Sequence, residues 1–167
     1  MAHELLVSRK KAVALIADAD GKFFTVMFWK KPEKATESDM VKSGVSDLLS
    51  CPRVFVGLDK EGNPAEKVIM NLKGKFMVRE KRVMTCRKGV KWHLDPETGE
   101  IVGLKGVGLA FDPKTYGLIN VFDLKKQNYR FINKYTLIGV HTRGCWYKVA
   151  DAYAADGSLK PATTIDL

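Results

Sequence analysis

The feature that most limits what this chain can fold into is a series of short apolar runs between turn-forming residues. Leu118–Leu124, Tyr129–Ile132, Tyr135–His141 and Trp146–Val149 are rich in β-branched and aromatic residues. Their separators, Lys-Lys-Gln-Asn, Asn-Lys and Thr-Arg-Gly, suit hairpin turns. Segments this short and this closely spaced favour antiparallel strands over helices. Such strands stay soluble when each edge is paired, which predicts a small barrel.

Upstream, residues 12–17 (AVALIA) and 23–30 (FFTVMFWK) read as two more strands around Asp18-Ala-Asp-Gly21. Residues 23–29 are apolar on both alternating faces, which predicts a strand covered on both sides. After Pro32, Thr36 and Asp39 have capping-box spacing, and Val41, Val45, Leu48 and Leu49 follow at helical spacing. These predict one helix over 37–49, weakened by Gly44 and closed by Pro52. Val54–Leu58 is a short strand, 59–64 a turn and 68–73 a half-buried strand. Gly74 allows a bend, and 76–78 and 82–87 continue as β. Residues 95–99 have turn chemistry, and Gly103, Gly106 and Gly108 mark a loop. From Ala150 periodicity is lost, which predicts a loosely packed or extended tail. The expectation is a mainly β chain: one antiparallel barrel domain over 1–150, an insertion at 32–80 holding the helix, and a tail at 151–167.

Charge sets the functional reading. The net charge is +9, and it is concentrated. Residues 67–91 carry nine lysines and arginines against Glu80 alone, and 125–148 carry six with no acid. Both segments read as strands, and such asymmetry points to a polyanion. Alternation would place Lys73, Lys75 and neighbouring basic residues such as Arg79 and Lys81 on one solvent face, extended by Arg82, Arg87, Lys88 and Lys91 and joined by Lys125, Lys126 and Arg130 of the second segment. Trp92, Tyr129 and Tyr147 adjoin basic residues, where they would either stack on unpaired bases or fill the core. Affinity of this kind comes from counterion release and carries no sequence readout. No helix-turn-helix, zinc-finger or RNP-type motif is present.

Other classes find little footing. No run approaches the ~18 apolar residues of a membrane span, and the N-terminus has the wrong charge order for a secretory signal. The expectation is a cytoplasmic protein with no membrane contact. Cys51, Cys86 and Cys145 form no CxxC pair and imply no disulfide framework. His141 with Cys145, and Cys86 with His93, lack the spacing of zinc knuckles, so no metal is expected. Arg87 and Lys88 beside Cys86 would lower its pKa, but no base is fixed near it, and a buried structural thiol is the plainer reading. HExxH, GxSxG and P-loop patterns are missing, and so are clustered carboxylates in the basic segments. The chain therefore reads as a non-enzyme without a cofactor.

The segments FFTVMFWKK (23–31), RVMTCRKGV (82–90), LKGVG (104–108) and GLINVFDLKKQNYRFIN (117–133) resemble a small Sm-like or SH3-like β-barrel family of bacteriophages and bacterial mobile elements. In that pattern a strand ending in a basic pair precedes an R-x-M-x-x-R-x-G-V strand. A Lys-Gly loop, a V-F-D strand and a Y-R-x-I-N strand follow. The resemblance covers about half the chain. Residues 32–80 stand where the family has a short turn, and 96–102 also read as inserted. The resemblance implies the barrel and a viral or mobile-element origin, hence the cytoplasm of a bacterial host, and says little about function, since most such proteins have no assigned activity. The preferred reading is a non-sequence-specific nucleic-acid binder, DNA favoured over RNA, serving host takeover or genome handling. The alternative is a phage protein-interaction module that inhibits a host enzyme or DNA-binding protein through the 32–80 insertion.

Overall fold

One strand of thirteen residues, β6 (Lys75–Arg87), organises the computed structural model. The structure describes residues 3–19, 22–88, 92–94, 97–98, 101–103, 117–157 and 159–160. In chain order the other strands are β1 (His3–Val7), β2 (Phe23–Trp29), β3 (Glu33–Lys34), β4 (Arg53–Leu58), β5 (Pro64–Leu72), β7 (Trp92–Leu94), β8 (Ile101–Gly103), β9 (Leu118–Asp123), β10 (Asn128–Asn133), β11 (Leu137–Thr142) and β12 (Cys145–Val149). Two helices, α1 (Arg9–Asp18) and α2 (Glu37–Ser43), complete the regular structure together with short 3-10 turns.

The protein is mainly β. Its principal sheet runs β1-β12-β11-β2-β6-β5-β4, with β9 paired to β6 and β10 to β9. Pairing is antiparallel except between β1 and β12. Among the described residues this mixed sheet is open. β6 belongs to two halves of it: Lys75–Glu80 pairs with β5 and Lys81–Arg87 with β2. The β7–β8 hairpin stands as a separate two-stranded sheet.

The hairpins follow from local chemistry. Lys73 and Gly74 both have positive φ (55° and 80°), as do Arg143 and Gly144 (54° and 74°). Two such residues between antiparallel strands match the right-handed strand twist. The four strands expected over 118–149 are present with shifted ends, and the Thr36–Asp39 capping box forms in both directions.

Four expectations need correction. Residues 12–17 are helical, not extended. Ser8 caps Lys11 N–H, and Ala12, Leu15, Ile16 and Ala19 recur on the buried face at helical spacing. The second helix ends at Ser43, because Gly44 at φ 68° takes the left-handed cap; a separate 3-10 turn spans Leu48–Ser50. Val41 and Leu49 accordingly face solvent. Strand β5 is buried on both faces, since Val68 and Ile69 enter different apolar clusters. The tail is partly ordered, with Ala152, Tyr153 and Leu159 packing beside Trp29, Val68 and Ile138. Strand β1 had no counterpart in the sequence reading. Gly106, Gly108, Lys91 and most of 95–99 lie outside the described residues.

The main core joins α1 (Ala12, Ile16) to Phe24, Val26, Met84, Cys86, Val121, Ile132, Leu137, Val140 and Val149. A second cluster, Val45, Phe55, Ile69 and Val78, lies within 32–80 and packs against Met40 of α2. Helix α1 packs on β11 and β12, while Val121 of β9 and Ile132 of β10 share the core side of β2 and β6.

Candidate nucleic-acid interface

The other face of that sheet carries the most distinctive surface. Residues in register on neighbouring strands point the same way. Since Phe24 and Cys86 face the core, their neighbours Phe23 and Arg87 face outward. Register then continues a row across four strands, Phe23 on β2, Arg87 on β6, Phe122 on β9 and Tyr129 on β10; Phe23 and Arg87 are exposed, whereas Phe122 is buried and Tyr129 is half-buried. The next row is Trp146 on β12, His141 on β11, Thr25 on β2 and Thr85 on β6.

Within these rows Phe23 is 61% exposed, and the Arg87 guanidinium lies 5.6 Å from its ring centroid. Tyr129 meets Phe122 edge-on at 5.6 Å, and His141 meets Trp146 edge-on at 5.0 Å. The Thr25 and Thr85 hydroxyls are 3.1 Å apart. Strand β2 is therefore covered on one side only at this end; toward Trp29 it is covered on both, with Val26 and Phe28 in the main core and Met27 and Trp29 in another cluster, as its composition suggests. Lys22 precedes Phe23, Lys88 follows Arg87, and Arg143 occupies the β11–β12 turn, all at the same end of the sheet. Among the described residues none of these four cations enters an ion pair with a described carboxylate.

The twelve residues singled out from the sequence do not form one stripe. Lys73 and Lys75 are exposed at the β5–β6 turn, roughly 40 Å along β6 from Arg87 at ~3.3 Å per residue. Arg79 is buried, at 4% exposure. Lys81 pairs with Glu66 at 3.1 Å, and Arg82 with the buried Asp123 at 3.0 Å. Arg87 and Lys88 lie at the far end, beside the aromatic rows. Lys125 and Lys126 are exposed in the β9–β10 turn, where their backbone N–H groups donate to Asp123 Oδ1 at 3.0 and 3.3 Å. Arg130 is exposed on β10. Trp92 lies in β7, and Lys91 falls outside the described residues.

Lys81, Arg82, Lys125 and Lys126 do come together. They line a groove of about 700 Å³ where β5 has left β6 and β9 has yet to join it. Asp59, Glu61, Glu66, Glu80 and Asp123 line the same groove, so its field is mixed. Among the described residues, Lys22, Arg87, Lys88 and Arg143 beside the aromatic face form no ion pair with a carboxylate. The sequence reading missed Phe23, His141 and Trp146 there; only their place in register, beside Arg87, distinguishes them.

Cys86 is fully buried, and its thiol is pushed up to about 12 by burial and by the nearby Asp123 charge. The Arg87 and Lys88 side chains do not reverse this, because Arg87 points to the opposite face. Among the described residues no group of three metal-binding side chains occurs, and no helix is long and apolar enough to cross a membrane. No family model, curated protein or solved structure matches this chain.

Proposed function

We propose that this protein is a non-enzymatic, non-sequence-specific nucleic-acid binder that engages unpaired strands on the outer face of β12, β11, β2 and β6. The observation that carries this reading is Phe23, exposed on a sheet face with Arg87 against its ring and Trp146 and His141 in the adjacent row. Aromatic platforms between cations suit splayed bases and their phosphates, whichever base is present. The main core, which joins α1, β9 and β10 to this sheet, backs the face from behind. The proposal extends to kinship with the Sm-like or SH3-like phage barrels and to action on DNA in a bacterial host cytoplasm.

The test is fluorescence anisotropy with a labelled single strand, competed by unlabelled single-stranded DNA, RNA and duplex of equal length. Single strands should displace the probe at lower concentration than duplex, and DNA at lower concentration than RNA. Equal or better competition by duplex rejects the stacking surface.

A second reading, a protein-interaction module, is favoured by one observation. Val41, Leu49, Val56 and Leu58 are exposed apolar residues, and all four lie within 32–80. Exposed apolar side chains of this kind mark contact surfaces. A host protein retained after nuclease treatment and lost in Leu49→Asp and Val56→Lys variants would favour it.

A further inference from the structure

A second cavity lies at the opposite end of β2 from Phe23, roughly 20 Å along the strand. It measures about 480 Å³, a volume suited to a small organic ligand. Its walls include Trp29, Leu72 and Phe131, and its cations are Lys30, Lys31 and Arg79. Among the described residues no carboxylate lines it.

We infer that this cavity is a binding site for a small amphipathic anion, an apolar body carrying one phosphate or carboxylate. The apolar walls and the one-signed charge each account for half of that ligand. Arg79 is 4% exposed, and charge-assisted hydrogen bonds strengthen where water is excluded. A guanidinium carries five N–H donors, so Arg79 can grip an oxyanion while keeping a protein partner. Lys30 already faces Glu80 at 3.9 Å, whereas Lys31 is exposed at the rim. Lys31 therefore draws the anion in, and Arg79 holds it against Trp29.

The site is independent of the proposed strand-binding face, and its test separates the two. Calorimetric titration of the full chain uses phenyl phosphate and 4-phenylbutyrate, with inorganic phosphate and benzyl alcohol as half-ligands. The amphipathic anions should bind at least about tenfold tighter than either half, equivalent to ~1.4 kcal/mol. Lys31→Glu, at the exposed rim, should weaken binding several-fold. Leu72→Trp, which fills the cavity, should abolish it without altering single-strand binding. If Leu72→Trp does not fold, Phe131→Trp fills the same space from a half-exposed position. Absence of binding at millimolar ligand, half-ligands binding as well as the whole, or wild-type affinity in the folded cavity-filling and Lys31→Glu variants overturns the proposal.

Discussion

Arg82 on β6 donates to the Asp123 carboxylate on β9 at 3.0 Å, and Asp123 is 1% exposed. The other carboxylate oxygen accepts the Lys125 and Lys126 N–H groups. One aspartate thus joins β9 to β6 and also closes the β9–β10 turn. The cation that reads as a phosphate contact is spent on a structural bond.

This pairing sets the first prediction. Asp123→Ala should destabilise the protein by about 2–3 kcal/mol, somewhat below a fully buried pair because Arg82 keeps contact with water. Arg82→Ala should lower stability as well and leave single-strand affinity unchanged at temperatures where it is folded. Urea denaturation with a binding isotherm on the same samples checks both. A large affinity loss in folded Arg82→Ala would return Arg82 to the binding surface.

The buried thiol gives a pH dependence. Cys86 ionises near 12 in the folded protein, against an ordinary value of 9.0. Between those values the folded state holds a proton that the unfolded state releases. Its contribution to stability is therefore full below about pH 9 and is lost as pH rises toward 12. Cys86→Ala should show a flatter decline over that alkaline window, whatever its starting stability. At neutral pH a thiol reagent should modify the half-buried Cys51 well before Cys86. Rapid labelling of Cys86 in native protein would contradict its placement.

The capping box at α2 offers a local test. Thr36 accepts from Asp39 N–H at 3.2 Å, and the Asp39 carboxylate returns the bond to Thr36 N–H at 3.0 Å. Asp39 also faces Lys67 on β5 at 3.6 Å. Thr36→Ala should cost ~1 kcal/mol, and Asp39→Ala more, since it also leaves half-buried Lys67 without that carboxylate. Chemical denaturation of the two variants reads the difference; equal losses would mean that the Lys67 contact adds nothing.

The hairpins over 118–149 are legible because their alternation and turn residues are local. So is the Thr36–Asp39 box, whose partners lie three residues apart. Helix α1 is not, since AVALIA carries β-formers while its buried spacing and the Ser8 cap decide for helix. Strand β1 escapes notice because its parallel partner β12 lies far along the chain. The same limit applies to the site. Arg87 stands out by charge, but Phe23 and Phe24 look alike until register assigns one to solvent and the other to the core. Lys81 and Arg82 read as free cations until tertiary structure brings Glu66 and Asp123 to them.

The most direct measurement is the salt dependence of single-strand affinity in wild type, Phe23→Ala, Arg87→Ala and a Lys73→Glu, Lys75→Glu double variant. Phe23→Ala should lose about 1–3 kcal/mol of binding at every salt concentration with the slope unchanged. Arg87→Ala should lower the slope of log affinity against log salt by roughly 0.7. The double variant at the far turn should bind nearly as wild type. Undiminished binding by Phe23→Ala, or loss of binding in the Lys73 and Lys75 variant instead, would contradict the platform on β2 and β6.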